Sequence, residues 1–206
     1  MTTHRPVVAA LLGLIALLLT GCVAVGTAPS GTSTGGAPAP QSPPDEAAGP
    51  AEDQIARAIF DRVNAERAAR GLEELAWNEE LAMVARDWSA EMAQIGRLEH
   101  QDIGQLLQRE QLSGFQGLGE NIFRATGPVP AGTIHVGWMR SDDHRINVLN
   151  PGWDRIGIGV HCAEDGSVWA TQEFGRTVGS DRPAIASETP PQEPIVRPEG
   201  DGPQCG

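Results

Sequence analysis

The chain has 206 residues, 27 acidic against 15 basic side chains, and a formal net charge of −12. That length carries one domain plus tails and can bury a sizeable core. The charge excludes a nucleic-acid binder and a polybasic membrane contact, since both need cationic surface.

At the N-terminus Arg5 precedes an apolar run from Val7 to Leu19. The run is too short for a comfortable membrane span and reads as the hydrophobic region of a signal peptide over residues 1–21. Leu19, Thr20, Gly21 and Cys22 resemble a bacterial lipobox. The resemblance implies that Cys22 is acylated and becomes the first mature residue, with its acyl chains tethering the protein to a membrane outside the cytoplasm. The alternative is an ordinary secretory peptide with a chance cysteine. Residues 22–51 are rich in Gly, Ala, Ser, Thr and Pro. Such a segment cannot bury enough surface to offset its ordering entropy and is expected to be a flexible spacer.

The domain is expected over residues 52–176. Ile55, Ile59, Phe60 and Val63 recur at helical spacing between Glu52 and Arg70, and Gly71 follows as a stop. Asn78 is placed to cap a second helix, with Glu79 and Glu80 in its first turn and Gly96 as its end. Leu81, Val84, Ala85, Trp88, Met92 and Ile95 form that helix's apolar side. His100 lies just past the exit. A shorter helix is predicted from Ile103 to Leu112, then a glycine-rich stretch, then a short strand from Asn121 to Arg124. Thr133 to Ser141, entered after Pro130, reads as a helix. The run from His144 to Pro151 reads as a loop, because it is punctuated by asparagines and stopped by proline. Arg155 to Cys162 alternates as a strand, Asp165-Gly166 suits a tight turn, and Ser167 to Phe174 returns as its partner. Helices first and an antiparallel sheet later give an α+β layout. Residues 177–206 carry Pro183, Pro190, Pro191, Pro194, Pro198 and Pro203. They read as an acidic, flexible tail without long helices.

Cys162 and Cys205 form an even pair once Cys22 is set aside. A bridge between them would pin the tail to the domain, removing on the order of 4 kcal/mol of denatured-chain entropy in the idealised case. The alternative is two free thiols, one buried and one in the tail.

Five tokens stand in order: His100; the triplet Gly119-Glu120-Asn121; a helix bearing Trp138; the run His-Arg-x-Asn-x-Leu-Asn-Pro from His144 to Pro151; and a closing strand pair ending near Gly175. In this order they resemble the bacterial branch of the CAP family, also called the SCP or cysteine-rich secretory protein family. The resemblance implies a three-layer α-β-α sandwich with a small central antiparallel sheet and a central cleft. It also implies that His100, Glu120 and His144 converge on that cleft, which spacing alone does not reveal. Two imidazoles and a carboxylate are a ligand set that zinc accepts, and the family resemblance implies histidines that take a divalent metal such as zinc in some members. The same three residues also suit a hydrogen-bonded structural network without chemistry.

The family's second acid falls near position 141, where this chain has Ser141. Asp142 and Asp143 are either substitutes or solvated carboxylates. Ser141 lies near His144 without an identifiable oxyanion donor, which gives a serine hydrolase little support, and no catalytic residue is assigned. His135 and His161 stand outside the matching positions. Arg145 is expected to anchor its segment through carboxylate or carbonyl contacts. The sequence therefore favours an extracytoplasmic binding module for an apolar small molecule or an envelope protein, anchored through Cys22. A metal-dependent hydrolase using the same cleft is the alternative.

Overall fold

The computed structural model describes residues 50–197 and 200–206. The expected signal peptide, Cys22 and nearly all of the spacer lie outside the described residues. Among the described residues no helix is long and apolar enough to cross a membrane.

The first two helices follow their sequence signals. Helix α1 spans Ala51–Ala69 and buries Ile55, Ile59 and Val63. Helix α2 spans Glu79–Ile95, and Asn78 caps it by accepting the Leu81 amide at 2.8 Å, an interaction worth about 1 kcal/mol. Gly96 ends it with φ 68°, the left-handed conformation that favours glycine. Ile95 departs from expectation and is exposed, since the helix has reached the end of the sheet it covers. Between these helices lies the two-residue strand β1, Ala76–Trp77, too short for a sequence signal.

The predicted Ile103–Leu112 helix is two pieces, α3 at Ile103–Leu106 and a 3-10 turn at Glu110–Leu112. Strand β2, Phe115–Ala125, is much longer than the predicted four residues and carries the Gly-Glu-Asn triplet in its middle. Helix α4 spans Ala131–Arg140. The His144 run is a correction: it belongs to a short helix, α5, at Asp142–Val148. Asp142 and Asp143 suit a helical first turn, and Pro151 only marks the chain beyond the end. Strands β3, Arg155–Cys162, and β4, Val168–Thr177, form the expected hairpin, with Gly166 at φ 83° in its turn.

The sheet order is β1-β3-β4-β2. Its β2–β4 and β3–β4 pairs are antiparallel and only β1–β3 is parallel. Helix α2 lies so close to the sheet that a Cβ on Gly157 would meet Ala82 N at 2.0 Å, and one on Gly159 would meet Arg86 N at 2.0 Å. On the other face α1, α4 and α5 cover a core built around Ile59, Trp138, Ile158 and Phe174. Helices on both faces of a small sheet make the α-β-α sandwich of an α+β chain.

The tail after β4 is the second correction. Its described residues form no helix, as its prolines require, but it is packed against the domain. Arg176 donates to Gly152 O, Pro183 O and Arg182 O. Asn150 exchanges hydrogen bonds with Ala186 through Asn150 Nδ2 and Oδ1, and Arg145 Nε donates to Pro190 O. Gly152 faces Ile185 closely enough that a Cβ would lie 2.6 Å from its Cα. A disulfide joins Cys162 to Cys205 across 43 residues. Glu52, in the first turn of α1, accepts the Cys162 amide at 2.7 Å, so the start of α1 and the end of the tail meet at one residue.

Candidate functional site

Each residue of the triplet has a separate task. Gly119 leaves room for Trp153, whose ring would lie 2.8 Å from a Cβ at that position. Glu120, next along β2, meets His100: Nδ1 of the imidazole is 2.6 Å from Glu120 Oε1. The Glu120 side chain is 2% exposed and that of His100 58%, so a buried carboxylate orients a histidine that reaches solvent. Asn121 Nδ2 donates to His144 O and to Gln172 Oε1, and its own Oδ1 accepts from Asn147 Nδ2. The amide thereby ties α5 to the middle of β2 and fixes where His144 stands.

His144 is near enough to His100 for the two rings to influence one another. Burial is the main cause that lowers the His144 pKa from its usual value. The neighbouring His100 ring adds to this, and Asp143 opposes it. His100 and Glu120 thus meet directly with His144 close to His100, and Gln101, which the sequence did not point to, ties Glu120 to Glu173. Gln101 N donates to Glu120 Oε1, while Gln101 Nε2 donates both to Glu120 Oε2 and to Glu173 Oε1.

Glu173 is the acid that sequence reasoning missed. It stands directly opposite Glu120 in the β2–β4 register and is completely buried. Burial pushes its carboxyl well above the usual range, and the neighbouring Glu120 adds to the effect. Its Oε2 is buried with no hydrogen-bond partner, an arrangement that costs less for a neutral carboxyl than for a charged one. An acid within a strand reads as outward-facing, so alternation hid it. The signal available was its position one residue before Phe174 on a strand buried on both faces.

The divalent metal that some members hold fits poorly here as a three-ligand centre. Both oxygens of Glu120 are already engaged, by His100 and Gln101. Among the described residues no three or more His, Cys, Asp or Glu side chains are grouped so as to hold a metal ion. Glu120 instead occupies the place behind His100 from which a carboxylate orients an imidazole. Asp142 is 76% exposed on its side chain and pairs with Arg145, the solvated reading of the two candidate substitutes. Arg145 behaves as expected, donating also to Met139 O. His161 is half-buried beside Glu52, whereas His135 is wholly buried. Trp138, Trp153 and Trp169 are core residues.

The model of the cysteine-rich secretory protein family, CAP, matches residues 60–174, which include His100, Glu120, Glu173 and His144. The Bacillus subtilis protein YkwD is 33% identical over 122 residues, covering 57% of this chain and 46% of that protein. Among solved structures, an extracellular protein from Bacillus anthracis containing an SCP domain is 32% identical with a TM-score of 0.52, over 61% of this chain and 41% of that one. An outer surface protein of Borrelia burgdorferi shares the fold at 16% identity and a TM-score of 0.54, over 60% of this chain and 93% of its own. The chain thus spans less than half the length of the two Bacillus proteins it matches. With its triplet, paired histidines and three-layer sandwich matched over more than half its length, the chain belongs to the CAP family of cysteine-rich secretory proteins.

Proposed function

We propose that the protein is an extracytoplasmic binding module, tethered to a membrane through acylated Cys22, whose contact surface is the cleft marked by His100, Glu120 and His144. One observation carries the reading: a solvent-reaching imidazole is held through Nδ1 by a buried carboxylate at 2.6 Å. A carboxylate accepting from Nδ1–H leaves Nε2 as the ring's free acceptor, with the tautomer inferred from the partner. Such a nitrogen receives a hydrogen-bond donor of a ligand, whether an apolar small molecule with a polar end or a protein of the envelope. The carboxylates behind it are engaged with one another's neighbours rather than placed against a nucleophile, which favours binding over hydrolysis.

A zinc titration by calorimetry at neutral pH, on the chain carrying Cys22→Ser, separates the metal-dependent alternative. The binding module predicts no zinc heat at all. Heat abolished by His144→Ala moves the reading to a metal-dependent site in this cleft, and heat that survives the substitution places the metal elsewhere. The tether is tested separately by metabolic labelling with a fatty acid, which is expected to mark the parent chain and be lost in Cys22→Ser. Label retained in the variant refutes the anchor.

A further inference from the structure

The tail crosses the helical face formed by α1 and α4, and its contacts there converge on one buried oxygen. Glu66 of α1 is fully buried, and its Oε1 accepts the tail amides of Val196 at 2.7 Å and Arg197 at 3.4 Å. Its Oε2 is taken by Arg70 at 2.5 Å. The same Oε1 lies 3.6 Å from Nε2 of His135 on α4, and both side chains are 0% exposed. Neither ring nitrogen of His135 has a hydrogen-bond partner, which is unusual for a buried imidazole. One oxygen therefore has two claimants, the tail backbone and an imidazole standing just beyond hydrogen-bond length.

The tail also completes α4. Pro130 at its N-cap offers no side-chain acceptor, and the first free amides of the helix donate to the tail instead. Ala131 N bonds Pro203 O at 2.9 Å and Gly132 N bonds Asp201 O at 3.0 Å. Helix N-termini leave such donors orphaned unless an outside group meets them. Release of the tail here uncaps the helix that leads, through Ser141, into α5 and His144.

We infer that the tail is an acid-opened strap: arrival of a proton at His135 turns its 3.6 Å approach to Glu66 Oε1 into an ionic hydrogen bond that displaces the Val196 and Arg197 amides. The Cys162–Cys205 bond keeps the far end attached while the middle lifts. The charged groups around the latch are Arg62 and Arg70 from α1, and Glu193, Arg197 and Asp201 from the tail. Asp201 pairs with Arg62, Glu193 approaches Arg70 Nε at 4.0 Å, and the charge of Arg197 acts on Arg62. The direction of the pH effect agrees with the geometry. In the closed state burial lowers the His135 pKa, and the Glu66 pKa is also lowered: burial raises it, but the nearby His135 ring, Arg70 and the Val196 amide together more than offset that. Both groups take up protons more readily once exposed, so the closed strap loses stability as pH falls through the ordinary histidine range and then the carboxylate range.

Amide hydrogen exchange on the whole chain with its disulfide intact tests this. After correction for the intrinsic rate, Val196 and Arg197 are expected to exchange about tenfold or more faster at about pH 5 than at about pH 7.5. Thr171, inside the sheet, is expected to keep its protection. His135→Gln, which cannot gain the charge, is expected to abolish the difference. Glu66→Gln is the second variant should the first not fold; it keeps an acceptor for the tail amides but removes the charge that an imidazolium would seek. Equal protection of Val196 and Arg197 at both pH values in the parent chain overturns the strap, and so does opening that persists in a folded variant.

Discussion

Two regions bury charge in opposite ways. Around His100, the buried Glu120 and Glu173 are joined by side chains, through Gln101 and the imidazole, and one end of the network reaches solvent. Under the tail, the buried charges of α1 are met mainly by main chain. Arg67 donates to Glu73 O, Val148 O and Asn150 O, Arg62 to Arg197 O, and Glu66 accepts two tail amides. Burial is the main cause that brings the Arg67 guanidinium down to about 10, which leaves it charged at neutral pH. A cation held by three carbonyls fixes the path of a chain. A half-exposed histidine with a carboxylate behind it has an atom left for a ligand. Buried polar groups must be paired in either case, and the identity of the partner distinguishes a fold-defining cluster from a site.

The contrast can be broken most forcefully at the tail. Cys205→Ser removes closure of a loop with a sequence separation of 43. It is expected to lower unfolding stability by about 4 kcal/mol in the chain-entropy limit, read as a shift of the urea midpoint. A loss below about 1 kcal/mol would mean that the docked backbone holds the tail without the bridge.

The smallest effect is expected at Glu173, and its sign sharpens the contrast. Burial holds this carboxyl well above the usual range, so the folded chain keeps a proton that the unfolded chain gives up. Stability therefore falls as pH rises above the ordinary carboxylate range, until the folded group itself ionises. Glu173→Gln retains a neutral hydrogen-bonding group and is expected to be neutral or stabilising at neutral pH, within about 1 kcal/mol, with a flatter stability profile against pH. A loss of about 2 kcal/mol or more in urea unfolding would show that Glu173 serves as an ionised partner.

Local signals made much of the fold legible. The spacing of Ile55, Ile59 and Val63, the Asn78 cap and the Gly96 stop mark α1 and α2 closely, because each rests on neighbours in sequence. The His144 run was misread because asparagine and proline are weak guides when Asp142 and Asp143 supply a helical first turn. The tail was misread because its composition lacks a conventional core, yet it binds through backbone carbonyls and amides, which composition does not register. Ile185, which packs against Gly152, and Ile195, which packs on the main core, were its apolar hints. At the site, resemblance supplied His100, Glu120 and His144, but Gln101 and Glu173 depend on cross-strand register. Register belongs to tertiary structure, and no short window of sequence contains it.

The meeting of Glu52 and Cys205 at Cys162 also bears on how the domain can be handled. The anchors at the start of α1 and the end of the tail leave the sandwich from one corner, at the end of β3. A circular permutant that links these ends by a short connector, and opens the chain at the Asp165-Gly166 turn, would keep every strand neighbour in place. A protein-engineering scaffold could thus carry this domain as an insertion, with entry and exit side by side.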